Sequence, residues 1–368
     1  MVADLFVPSE GIYLLNHSVG RPPRTAAEAA RTGFFTPWEQ GDSTVWPAWF
    51  EEIDRFRTTL AGLLNGRMAD FCPQTNLSGG LTKLIHALPR HPGKTTIVFH
   101  EQDFPSMGFV LRAAGRLGWT SHMIPAAVDP LDLDSWRTHL TADVGVVLVT
   151  HVHSNTSARL PVAEITRLAR ERDVVSIVDV AQSVGVVPID LERWQADFVL
   201  GSCVKWLCGG PGAGFLWGRP DQVDRCEPLD LGWFSHADPF EFDINNFRYA
   251  QGILRFWGGT PSVLPYVVAA NSIEVLRGIG IDTIRQHNLA LNQRIIDRLA
   301  AQHLVTPPRP EQRGGTLVLG FGKRQAEVER RLHAAKVHFD ARPTGLRMSP
   351  HIYNTAAEID RVIDCLTG

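Results

Sequence analysis

The strongest constraint on this chain is a rhythm in its first two thirds. Short β-branched apolar runs, at 95–100, 144–150, 174–180 and 197–201, alternate with stretches of helical spacing at 79–88, 105–117 and 161–171. In the last of these, Val162, Ile165, Leu168 and Ala169 recur at helical intervals. Runs that are apolar throughout, each followed by a helix, are buried on both faces. They predict a mostly parallel sheet with helices on either side. After about residue 260 the pattern changes. Residues 262–276 and 281–299 read as long helices, Pro307, Pro308 and Pro310 break the chain, and 316–321 reads as a strand. A helix near 326–335, a strand near 337–341 and a closing helix from Thr355 follow. The expected fold class is α/β, with a large domain over 14–255 and a smaller α+β domain over 256–368 together with 1–13.

Composition removes several functions. A chain of 368 residues, 44% hydrophobic and 20% charged, buries an ample core without staples. A net charge of −3, with Lys and Arg scattered, leaves no footprint for nucleic acid or an anionic membrane. No stretch reaches the roughly 18 apolar residues of a membrane span. The opening MVADLFVPSEGIYLLNHSVG lacks the basic start and sustained apolar core of a secretory signal. The five cysteines, Cys72, Cys203, Cys208, Cys226 and Cys365, show neither metal-ligand spacing nor a disulfide framework. No metal is expected, and the cytoplasm is the simplest compartment. Trp38, Trp46 and Trp49, clustered with Pro37 and Pro47, read as packing in preference to a pocket wall.

The chemistry concentrates in VVSIVDVAQSVGVVPIDLERWQADFVLGSCVKWLCGGPGAGFLW (174–217). Asp179 ends an apolar strand, the end at which parallel sheets bind ligands. Taken alone it could simply cap the next turn. Lys205 sits between Val204, Trp206 and Leu207, surroundings that strip water from an ammonium and favour the neutral amine. A neutral amine is what an imine-forming nucleophile needs. The turn Gly209-Gly210-Pro211-Gly212 is expected to let the backbone approach a bulky ring. One cofactor suits the pair: pyridoxal 5'-phosphate (PLP) needs a lysine for its aldehyde and a carboxylate for its ring nitrogen. Gln182 is placed to reach its phenolate oxygen and Ser202 its phosphate. The segment TNLSGG (75–80) precedes a helix, so Leu77 and Ser78 offer free amides and a hydroxyl to an anion, the plainer alternative being a helix cap.

These residues resemble the class V aminotransferase group of PLP fold type I, and within it kynureninase most closely. LGWFSHADPFEF (231–242) is similar to the kynureninase GWFGH segment, and GILRFWGGTP (252–261) to its R-F-x-x-G-T-P segment. The resemblance implies that Lys205 carries PLP as a Schiff base and Asp179 pairs with the pyridine nitrogen. It implies that Leu77 and Ser78 hold the phosphate, Phe104 stacks on the ring and Thr150 lies near its face. Trp233 and Thr260 would reach the phosphate from a partner subunit, making a homodimer with shared sites. Arg347, in GLRMSPHIYN, would clamp the α-carboxylate of an amino-acid substrate, the alternative being a surface ion pair; Ser18 would touch substrate. Three positions depart from the kynureninase pattern: Gln182 replaces a histidine, Val204 a tyrosine and Met107 an aspartate. The implied activity is a kynureninase-like hydrolase or lyase acting on a side-chain bond. A class V aminotransferase or an epimerase of specialised metabolism is the second enzyme reading, and a catalytically silent relative the third.

Overall fold

A computed structural model describes residues 2–368. Its strands are β1 (Ile12–Tyr13), β2 (Phe71–Gln74), β3 (Thr96–His100), β4 (Thr120–Ile124), β5 (Val144–Thr150) and β6 (Val175–Asp179). They continue with β7 (Phe198–Ser202), β8 (Gly214–Gly218), β9 (Leu317–Leu319), β10 (Val337–His338), β11 (Asp340–Arg342) and β12 (Gly345–Met348). Seven of them form the central sheet in the order β2-β8-β7-β6-β5-β3-β4. The five from β7 to β4 run parallel; β8 is antiparallel to both of its neighbours. The parallel core follows from β5, VGVVLVT, which is buried at every position and so is covered on both faces. Its covering helices carry one apolar stripe each. On Val162–Glu171 the buried residues include Val162, Ile165, Leu168 and Ala169, the spacing of a single helix face.

Two strands and one helix escape the sequence rhythm. β2 is four residues long and contains Pro73, tolerable because it lies at a sheet edge. β4 is the other edge and is mostly exposed, so its sequence lacks an apolar signature. The tryptophan-rich stretch opens a 20-residue helix, Val45–Leu64. Pro47 is harmless in its first turn, and Ile53, Phe56, Leu60 and Leu64 form its buried stripe.

The C-terminal region builds its own layer. β9, β12 and β11 form an antiparallel sheet in the order β11-β12-β9, and β1 from the N-terminus pairs parallel with β10. Ile12, Leu14, Leu291, Ile295, Val328 and Val362 share one buried cluster there. The helix Leu264–Ile279 instead packs on Val45–Leu64 and contributes Val267, Ala270 and Ile273 to the core of the large sheet. The closing helix Ala356–Thr367 starts at a capping box between Thr355 and Glu358. No helix among the described residues is long and apolar enough to cross a membrane.

Candidate active site

Three adjacent parallel strands end at one place. Thr150 closes β5, Asp179 closes β6 and Ser202 closes β7, with Thr150 and Asp179 register partners. The connection from β7 to β8 carries Lys205 over these ends. Together they wall a cavity of about 210 Å³, also lined by Asn76, Leu77, Ser78, Phe104, Met107 and Gln182. The sequence-predicted residues from four separate segments thus meet at the carboxyl end of the sheet, where open α/β sheets bind ligands.

The charges in this cavity are held away from their ordinary states. Burial pushes the Asp179 carboxyl up to about 6, against the Ala181 amide it accepts at 2.8 Å and the charge of Lys205. Burial pushes the Lys205 ammonium down, opposed by Asp179 and helped by Arg347. The Lys205 Nζ lies 5.5 Å from the centroid of the Phe104 ring, which is 46% exposed and so overhangs the opening. Thr150 Oγ1 is buried and has no hydrogen-bond partner among the described residues.

At the opposite rim, the helix Leu77–Ala87 begins with Asn76 as its cap. Asn76 Oδ1 accepts from the Gly79 amide at 2.8 Å and from Ser78 Oγ at 2.9 Å. The cap alternative is therefore observed, and the free amides that the other reading needs lie beside it. The helix is capped, yet the amides of Leu77 and Ser78 have no acceptor among the described residues. Two free amides at a helix start attract an anion.

Other expectations change in detail. Gln182 donates through Nε2 to the His17 carbonyl at 3.1 Å, and its Oε1 accepts from Trp206 Nε1 at 3.4 Å. Its amide therefore ties the N-terminal segment to the cavity wall. The glycine turn does not approach the cavity. A Cβ on Gly209 would lie 2.9 Å from Ala269 Cα, and one on Gly212 would lie 3.1 Å from Pro265 Cγ. Those glycines admit the helix Leu264–Ile279. The close approach to the lysine loop comes from Gly20, where an added Cβ would fall 2.1 Å from the Lys205 carbonyl.

Arg347 is buried, 6% exposed, and is no surface ion pair. Its Nε donates to Asp340 Oδ2 at 2.9 Å and its Nη2 to the same oxygen; Nη1 donates to the Ser154 carbonyl at 3.0 Å. Ser154 lines the cavity. Ser18 is exposed next to His17. Trp233 and Thr260 lie outside the cavity and bond each other, Nε1 to Oγ1, at 3.3 Å. Trp46 packs edge-on against Trp233 with centroids 6.3 Å apart, so the tryptophan-rich stretch extends this outer aromatic surface.

Sequence reasoning missed four residues here. His153 and Asp103 form a buried pair at 3.3 Å beside the wall, and His17 and Asp340 adjoin Arg347. Asp103 immediately precedes the predicted Phe104, and His153 follows Thr150 by three, so adjacency to a site residue was the available signal.

A family model described as aminotransferase class-V matches residues 78–362. The chain belongs to that family, whose enzymes use pyridoxal phosphate. It is 31% identical to a kynureninase of Deinococcus radiodurans over 85% of this chain and 78% of that protein. It is 26% identical to an uncharacterized aminotransferase of Bacillus subtilis, over 87% and 85%. Among solved structures, the cystine C–S lyase C-DES in complex with cysteine persulfide superposes with a TM-score of 0.88 at 22% identity, covering 97% of each chain. An apo cysteine desulfurase from Thermococcus onnurineus gives 0.84 at 19%, covering 97% and 94%. The fold is PLP fold type I. The cavity suits the family's cofactor on its own evidence: an amine and an acid face one space, an orphaned hydroxyl lies beside them, and two unpaired amides stand at the rim.

Proposed function

We propose that this enzyme binds PLP through Lys205 and acts on an amino acid by a kynureninase-like cleavage of a side-chain bond. The observation that carries the reading is the meeting of a desolvated amine and a raised carboxyl in one cavity. PLP, when bound, supplies an electron sink for bonds broken at the substrate's Cα and Cβ. Asp179 would pair with the pyridine nitrogen, whose positive charge would hold its carboxylate ionised. Lys205 would carry the cofactor's aldehyde and would serve as general base and acid for the substrate's Cα proton. Leu77 and Ser78, with Ser202, would hold the phosphate, and Phe104 would cover the ring and exclude water. Thr150 and Gln182 would flank the ring, and Arg347 would take the substrate carboxylate through its planar fork.

The aminotransferase or epimerase reading keeps one specific support. The kynureninase pattern is altered at Gln182, Val204 and Met107, and Met107 is a buried apolar wall residue where that pattern has an acid. Incubating holoenzyme with a panel of amino acids separates the readings by product. Cleavage expects alanine plus a carboxylic acid from a γ-keto substrate such as kynurenine. A keto acid without carbon–carbon cleavage overturns the hydrolase reading in favour of transamination, and an inverted stereocentre does so in favour of epimerisation.

The proposal includes a homodimer in which Trp233 and Thr260 serve the partner's phosphate. Its support is the apolar surface beside them, where Phe242 and Ile244 are 76% and 95% exposed. It also includes a large cofactor unit at 14–255 and a smaller unit at 256–368 with 1–13; the pairing of β1 with β10 supports giving the first residues to the smaller unit. Five free cysteines suit a reducing cytoplasm.

A further inference from the structure

The Arg347 guanidinium carries five N–H donors in one rigid plane. Three are committed: Nε and Nη2 to Asp340, and Nη1 to the Ser154 carbonyl. Among the described residues one N–H on each terminal nitrogen has no acceptor, and a carboxylate can take two such donors bidentately. The arrangement is set by the backbone. Asp340 and Arg347 stand opposite each other as register partners across β11 and β12, where opposite charges attract. It is also set by burial, because a guanidinium out of water needs a counter-ion. Asp340 receives Arg342 Nε at 3.1 Å as well, and His17 Nε2 lies 3.5 Å away. Burial and then the charge of Arg347 push the His17 ring down to about 3, so it stays neutral and leaves Asp340 to the two arginines. Arg342 is far more exposed than Arg347, which makes the Arg347 pair the dominant one.

We infer that Asp340 is the positioning residue of the carboxylate clamp, turning and neutralising Arg347 so that only its two free N–H groups meet the substrate. This rests on the reading of Arg347 as the clamp. Without Asp340, the guanidinium is free to rotate about its stem, and the bidentate geometry is lost even though the charge remains. The cross-strand pair and the carbonyl of Ser154, itself in the cavity wall, together fix the fork from two parts of the chain 193 positions apart.

L-Alanine and L-alaninamide differ in the one group at issue, and their dissociation constants from holoenzyme can be read from the cofactor's absorbance band. Wild type is expected to favour alanine. Asp340→Asn is expected to lower that preference about tenfold, the value of one charge-assisted hydrogen bond, with alaninamide binding unchanged. Asp340→Glu, which keeps the ion pair, should fall between the two. A preference that rises in Asp340→Asn makes Asp340 a competitor for the fork and overturns the inference. Equal changes for both ligands make its role structural and also overturn it. Should the Asn variant not fold, the Glu variant carries the test: an unchanged preference with the carboxylate moved one methylene outward overturns the inference. Arg347→Ala serves as the separate control. If it keeps the preference, or if wild type shows none, the clamp reading itself fails.

Discussion

The strand ends line the cavity and Arg347 adjoins it through the Ser154 carbonyl of its wall, yet the two regions treat charge in opposite ways. At the strand ends the buried Asp179 and the half-buried Lys205 form no ion pair among the described residues, so desolvation displaces each toward its neutral form. At the clamp Arg347 is buried to a similar depth, yet Asp340 matches it before any ligand arrives. Unmatched buried groups weaken a fold and persist where reactivity needs them. Matched ones hold a shape. On the proposed function, the contrast separates a region that moves protons and makes bonds from a region that measures a substrate.

The comparison is broken most severely at Lys205. Lys205→Ala is expected to lower turnover by about 10⁴-fold, as both the nucleophile and the proton carrier are lost, and to abolish the adduct trapped by borohydride. Peptide mapping that finds the adduct on a different lysine would remove Lys205 from the reactive region.

Asp179→Asn comes next, with turnover expected to fall by about 10²- to 10³-fold and cofactor to be released more readily. The same substitution tests whether the acid is truly unmatched. Its folded value of about 6 lies above the ordinary 3.8. Between those values the folded protein keeps a proton that the unfolded chain has lost, so stability falls as pH rises through that window. In cofactor-free protein the loss reaches about 3 kcal/mol at neutral pH. Cofactor-free Asp179→Asn should therefore melt above wild type at neutral pH, with the two converging below about pH 4. Melting curves that stay parallel across that window would show that Asp179 is matched after all.

The two regions were unequally legible in the sequence. The strand-end region writes itself into contiguous segments. DVAQSV and GSCVKW each pair an apolar strand with its terminal polar residue, so Asp179, Ser202 and Lys205 could be located from local pattern. Asn76 as a cap and Ser78 as its neighbour were equally local. Arg347 was legible through its motif, but its partner was not. Asp340 becomes its neighbour only when the hairpin closes in one register, and a one-residue slip would point it to the other face. The role of the glycine turn was misread for a related reason. Glycine announces that something comes close, and here the close body is the helix Leu264–Ile279, which lies more than fifty residues further along. The helix Val45–Leu64 was obscured by its first turn, although Ile53, Phe56, Leu60 and Leu64 carried the spacing that betrays it.

The smallest expected effect lies where the two regions join. His17 gives its carbonyl to Gln182 in the strand-end wall and turns its ring toward Asp340 in the clamp. Ser18 follows it, exposed, with its amide held by the Leu15 carbonyl at 2.8 Å. The backbone there is fixed, so Ser18→Ala removes a hydroxyl without moving the segment. If that hydroxyl meets substrate, KM should rise about threefold while kcat stays level, the value of one neutral hydrogen bond made equally in the ground and transition states. A drop in kcat would place Ser18 with the reacting groups of the strand ends. Unchanged kinetics would leave the junction to His17, with the solvent-facing residue beside it taking no part in recognition.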